Sequence, residues 1–522
     1  MRRAALPATI VMTAVAAVVA LPLFALAATA ISTTSWLAMF GEPPVWMAVR
    51  FTLLQAGLTT LLSVSLAIPV SRALARRPIF PGRRLVLRLL TVPLAMPVLV
   101  AVFGIVAAWG RAGWFFALTG IQPNLYGLTG VLIAHVYFDL PFAILLLTAR
   151  LQSIPAETWR LASQLGFSST AVLRLIEWPA IRSALPGAAA ITFLTAVTSF
   201  TVILTLGGGP WATTLEVAIY QSLRFDFDPP RAVLLSLLQM ALCLLSVFVI
   251  RGTGAQMPPM SGLVRSNGRA GPQSPLGGMH DAIVIGAVAL FVGLPIVAVG
   301  AAAIVRLPAL WGDAWLVGRA AATSLSVALA AAMMSVTGAW SLVAAARSPT
   351  RIGRLARGLT ANGAVVLVLP PFVIGAGWFL LLNRYDLAFA LAPLVVIGVN
   401  ALMSLPFSLR VMSDAEAATA RDVNRLCANL GLTGWQRFRL IDWPRLRRSF
   451  AFAGSLAAAL SLGDLGIAAL FGNERLLTLP LLLQQRMGSY RQADAASLAG
   501  LLALMCLALF VIGDLIAGRE RA

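Results

Sequence analysis

Residues 157–179 read ETWRLASQLGFSSTAVLRLIEWP, and residues 422–444 read DVNRLCANLGLTGWQRFRLIDWP. These are one pattern written twice. Arg160, Leu165, Gly166, Arg174, Ile176, Trp178 and Pro179 match Arg425, Leu430, Gly431, Arg439, Ile441, Trp443 and Pro444, each pair 265 residues apart. Pro141 and Pro406 keep the same offset. Eight matches in register mark a duplication, so the chain is read as two copies of one unit.

The surrounding sequence says what the unit is made of. Of 522 residues, 59% are hydrophobic and only 11% charged, with a mean hydropathy of +0.89. A soluble domain carries about 25% charged residues. This composition excludes an ordinary cytosolic enzyme, a disordered tail and a secreted disulfide scaffold. Apolar runs of about 20 residues mark membrane helices. Twelve occur, near 8–31, 51–70, 86–108, 128–149, 185–207, 232–250, 282–304, 321–346, 363–383, 387–409, 450–472 and 495–516. The first follows Met1-Arg2-Arg3, but at about 24 residues it is long for a signal peptide core. It is therefore read as a retained span.

Charge fixes the expected orientation. The net charge is +20, and every one of the 39 basic residues is arginine. With the N-terminus in the cytoplasm and twelve alternating spans, 29 arginines fall inside and 10 outside. That asymmetry is the positive-inside pattern, and it places both termini in the cytoplasm. The basic excess is thus topological, and no nucleic-acid partner is expected. Residues 251–281 are rich in Gly, Pro and Ser and read as a cytoplasmic linker. They separate a first six-span half, 1–250, from a second, 282–522. Six is even, so both halves share one orientation, a parallel repeat.

The repeated stretch lies in inside loops. Leu161 and Leu165 are four apart, as are Leu426 and Leu430, so each pair shares one face of a short amphipathic helix. Pro155 suits the start of the first helix, and Gly166 and Gly431 suit the helix ends. Pro179 and Pro444 should break or redirect the chain before the next span. Two such helices on one side of a membrane form docking surfaces for two copies of a cytoplasmic partner. The chain cannot supply its own nucleotide site through a P-loop, because that loop needs a lysine. His135, His280, Cys243, Cys427 and Cys506 show no metal-ligand spacing.

The order of these residues resembles the signature loop of ABC importer permeases: an alanine-bearing helix, Gly, nine residues, Ile, two residues, Pro. Ala162, Gly166, Ile176 and Pro179 carry it in the first copy, and Gly431, Ile441 and Pro444 in the second. Both copies depart at the signature glutamate, replaced by Arg160 and Arg425, so a salt bridge by that glutamate is not carried over. The fused double form is similar to the permeases of ferric-iron, thiamine and related importers. Residues 198–232 and 463–496 look most like the bacterial thiamine permeases. The resemblance implies an all-α protein of the bacterial inner membrane, with about twelve spans in two fused halves. It implies a non-enzymatic transport subunit that binds no cofactor, leaves ATP and Mg to two copies of a separate ATPase, and receives thiamine and its phosphate esters from a periplasmic binding protein. Arg160, Leu161, Ala162, Leu165, Gly166, Ile176 and Pro179, with Arg425, Leu426, Leu430, Gly431, Ile441 and Pro444, would form the ATPase-docking loops.

Charges inside spans are costly and therefore functional candidates. Asp464, between Gly463 and Gly466 in an apolar run, could attract the thiazolium cation of thiamine on its path. Ser199, beside Phe200, holds the equivalent position in the first half. His135 and Asp139, four apart, are expected to pair on one helix face. Alternatives are another cargo, such as ferric iron, and a secondary transporter with a parallel six-plus-six repeat, which the paired docking loops argue against.

Overall fold

The computed structural model describes residues 2–32, 36–111, 113–252, 275–306, 308, 312–361, 369–417, 420–489 and 491–517. The linker expected at 251–281 thus falls largely outside the described residues, at 253–274. Among the described residues every regular element is helical. Apart from short turns, the first series comprises α1 (Arg2–Ser32), α2 (Pro43–Arg76), α3 (Arg83–Ala95), α4 (Val98–Trp109), α5 (Leu128–Gln152), α6 (Ala156–Gln164), α7 (Trp178–Val197), α8 (Thr201–Leu206), α9 (Leu215–Arg224) and α10 (Pro229–Gly252). The second comprises α11 (Pro275–Arg306), α12 (Ala314–Ala346), α13 (Arg351–Ala361), α14 (Pro371–Asn383), α15 (Ala392–Ala417), α16 (Ala420–Asn429), α17 (Trp443–Leu462), α18 (Gly466–Phe471), α19 (Leu479–Gly488) and α20 (Gln492–Ala517).

Among the described residues, ten helical stretches are long and apolar enough to cross a membrane. The two remaining expected runs differ for visible reasons. Residues 363–383 contribute α14, which has 13 residues, the preceding part lying outside the described residues. Residues 450–472 are split: α17 carries Arg445, Arg447 and Arg448 in its opening turns and ends at Leu462, and α18 begins only at Gly466. Two other runs are also interrupted, at Met96–Pro97 between α3 and α4, and at Thr198–Phe200 between α7 and α8.

The core of the first series is α2, α5 and α7, packed on one another; that of the second is α12, α15 and α17. The leading helix of each series packs across. α1 lies on α14 and α12, and α11 lies on α4 and α2. Glycines set how closely these helices cross. A Cβ at Gly104 would come 2.7 Å from the Pro295 carbonyl oxygen, and one at Gly377 would collide with that of Pro22. Here the two crossings repeat at an offset of 273 residues. Trp378 Nε1 donates to the Val18 carbonyl at 3.1 Å, adding a polar tie to the α1 crossing. Membrane helices gain little from apolar burial alone, so close backbone approach at small residues is what holds them.

Candidate functional site

The repeated stretches form two surface motifs with the same construction. In α6, Trp159 and Ala162 are buried while Leu161 and Leu165 are exposed. In α16, Cys427 is buried while Leu426 and Leu430 are exposed. Exposed leucines at matching positions on short helices are surface that folding did not use. Arg160 and Arg425 are exposed beside them.

Both helices end as the glycines require. Gly166 and Gly431 take φ of +65° and +63°, left-handed values that other residues adopt at a cost. Around Gly166 the Phe167 N–H donates to the Ala162 carbonyl at 3.0 Å and the Gly166 N–H to that of Ser163 at 3.1 Å. Around Gly431 the Leu432 N–H donates to the Cys427 carbonyl at 2.9 Å. These bonds close the helix ends. Beyond each glycine the chain enters a π-helical turn, Leu173–Glu177 or Phe438–Asp442, that runs straight into α7 or α17. Pro179 and Pro444 therefore do not break the chain. Each is the second residue of its α-helix, at the junction where the wider π-helical turn passes into it. Ile176 and Ile441 are half-buried in the turns, and Leu175 and Leu440 beside them in sequence are exposed.

An acid anchors each loop. Glu177 is buried and accepts from Arg72 Nε at 2.8 Å and Arg76 Nη2 at 3.4 Å, both near the end of α2. Asp442 is buried and accepts from Arg347 Nη1 at 2.8 Å and Nη2 at 3.2 Å, just past α12. Arg347 Nε also lies 2.9 Å from Glu416 Oε1, and its guanidinium sits 4.9 Å from the Trp340 ring centroid. Its partners hold the Arg347 pKa above the ordinary arginine value against the opposing effect of burial. The repeated loops are thus pinned to the long helix of their own series.

A second feature lies where the helix breaks meet. In a bilayer, irregular backbone is tolerated only where it is buried in protein or lines a cavity. The break at Thr198–Phe200 is supported by two amides: Gln55 Nε2 donates to the Ala196 carbonyl at 2.7 Å and Gln239 Nε2 to that of Val197 at 3.0 Å. The break at Gly463–Leu465 is capped by Asp464, whose Oδ1 accepts the Gly466 N–H at 3.1 Å. A Cβ at Gly463 would lie 3.1 Å from Pro97, so the second break abuts the first series at its own interruption. Phe200 is buried and stacks on Phe372 of α14, with centroids 4.7 Å apart and planes at 23°. Ser199 is half-buried in the same break.

The expected His135–Asp139 pair is not made. Asp139 accepts instead from Thr195 Oγ1 on α7 at 3.0 Å, and neither ring nitrogen of His135 has a hydrogen-bond partner.

Residues 338–519 match the family of binding-protein-dependent transport system inner membrane components. Along most of its length the chain is similar to thiamine transport system permease proteins ThiP. It is 47% identical to that of Brucella abortus (strain 2308), over 90% of this chain and 87% of the relative. It is 39% identical to that of Salmonella typhimurium, over 93% and 92%, and to that of Escherichia coli, over 93% and 91%. The chain belongs to this permease family. It is an inner membrane component of a binding-protein-dependent transport system, a transport subunit rather than an enzyme.

The structure also brings into these places residues that sequence reasoning left without a role. Glu177 and Asp442 stand in the repeated Ile-acid-Trp-Pro string, and a carboxylate kept in both copies was the available signal. Leu175 and Leu440 share the 265-residue offset and could have been found by extending the comparison. Phe372 could not, because its pairing with Phe200 crosses 172 residues of chain and no local pattern encodes it.

Proposed function

We propose that this permease is the membrane-spanning subunit of an ATP-driven importer of thiamine and its phosphate esters. It takes cargo from a periplasmic binding protein and docks two copies of an ATPase on α6 and α16. The paired exposed leucines, Leu161 with Leu165 and Leu426 with Leu430, carry this reading. Two copies of one motif suit two copies of one partner. The thiamine transport function of relatives aligned over about nine-tenths of the chain supports the cargo. Both termini, the linker and the docking loops then lie in the cytoplasm, consistent with the arginine distribution.

The docking loops carry force in one direction. ATP-driven closure of the partners pulls α6 and α16 together. The buried Glu177 and Asp442 pairs transmit that movement to α2 and α12, which shifts the balance between inward- and outward-open states. Asp464, with Ser199 and Phe200, lies on the substrate path where the broken helices meet.

The test is assembly of the complex. Replacing Leu161 and Leu165 by Asp should weaken ATPase retention on the purified permease, and the same change at Leu426 and Leu430 as well should abolish it. Full retention in the fourfold variant rejects the docking assignment. For cargo, the complex in proteoliposomes with its binding protein should take up labelled thiamine on addition of ATP; uptake of ferric iron without thiamine rejects the cargo.

A further inference from the structure

The geometry points to Phe200 and Phe372 as an aromatic gate that recognises a flat organic cation, with Asp464 as its counter-charge. This rests on the reading of thiamine as cargo and goes beyond it by assigning where selectivity resides within the membrane.

Three observations meet at one place. The first is the stack of Phe200 on Phe372, one ring from each series of helices, closed on itself. Tyr220 of α9 meets both rings edge-on, at 5.4 Å and 77° to Phe200 and 6.3 Å and 83° to Phe372. The second is the carboxylate of Asp464. Its Oδ1 caps α18, but its Oδ2 is buried and makes no hydrogen bond of ordinary geometry, although the Asn400 amide lies nearby. The third is Gly466. A Cβ placed there would lie 3.6 Å from Asp464 Oδ1, 3.7 Å from Phe200 Cδ1 and 3.7 Å from Phe372 Cδ2. Carboxylate and ring pair therefore border the same point, and the lack of a side chain at 466 leaves it to them.

The repeat sets this place apart from its counterpart in the other arrangement. At the 265-residue offset Phe200 corresponds to Leu465 and Asp464 to Ser199; at the 273-residue offset Phe372 corresponds to Leu99. Leu465 and Leu99 are both buried, so leucine fills the equivalent positions. Aromatic faces and the carboxylate occur in one arrangement only, and they are the groups that attract a cation. A ring face attracts a desolvated cation through its quadrupole. Thiamine offers a flat thiazolium and a flat aminopyrimidine. When the two series move apart, the rings separate and either face can take the thiazolium beside Asp464. The nearby Arg224 is already engaged, since its Nη2 donates to the Gly472 carbonyl at 2.8 Å and its guanidinium lies 5.4 Å from the Phe389 ring centroid.

The experiment uses the full complex in proteoliposomes with its binding protein, and expresses thiamine uptake per complex. Phe372→Leu copies the residue at the equivalent Leu99 and so should fold. It should lower uptake about tenfold, as should Asp464→Asn, while Phe372→Trp should keep uptake within about threefold of the parent. Parental uptake in both Phe372→Leu and Asp464→Asn overturns the gate. Equal loss in Phe372→Leu and Phe372→Trp also overturns it, because packing rather than a ring face is then what matters. A parent complex that moves no thiamine removes the cargo reading, and this assignment with it.

Discussion

At the scale of single residues, the buried acids decide how firmly each repeated loop is held. Glu177 is 2% exposed, while Arg72 and Arg76 are about a fifth exposed. Removing one member of a buried pair leaves the other uncompensated, at a cost of about 3–5 kcal/mol when both are enclosed. Here the arginines can rehydrate, so the Glu177→Gln variant should lose about 2 kcal/mol or less. It should show a lower melting temperature in detergent and weaker ATPase stimulation by the loaded binding protein. Asp442→Asn should behave alike through Arg347, while Glu177→Asp, which keeps the charge, should recover most of both. Normal coupling in both neutral variants would show that the ion pairs do not transmit the stroke. The acids themselves were legible in the sequence as part of a repeated string. Their partners were not, because Glu177 meets arginines about a hundred residues away.

At the scale of elements, α6 and α16 depend on how they end. Space around Gly166 and Gly431 is open, since an added Cβ would meet nothing within 4 Å. Any penalty there comes from the left-handed backbone alone, about 1–2 kcal/mol per site for an ordinary residue. Gly166→Val with Gly431→Val should therefore shift the terminal leucines and reduce ATPase retention. Gly166→Asn with Gly431→Asn should be tolerated, because asparagine visits this conformation. Equal retention in the two double variants would argue that the helix ends do not position the leucines. These helices were readable from local rules: leucines four apart, then glycine. The π-helical turns were not, and they explain why Pro179 and Pro444 continue a helix that proline was expected to interrupt.

At the scale of the whole molecule, the two series interlock through their leading helices. α1 crosses α14 at Gly377, and α11 crosses α4 at Gly104. A chain divided within 253–274 should therefore yield two pieces that copurify. Gly104→Leu or Gly377→Leu should weaken that association, because overpacking a tight contact costs about 1–3 kcal/mol; undiminished copurification would show that these crossings are not what joins the pieces. The sequence by itself determined the membrane class, the duplication and the two repeated loops. Those rest on hydropathy, arginine placement and spacing within single stretches of chain. Only the tertiary structure decided the crossing of α1 and α11, the ion-paired anchors and the meeting of Phe200, Phe372 and Asp464. Each of these joins residues far apart in the chain. Periodicity reports which face a helix buries, and says nothing of which distant helix will cover it.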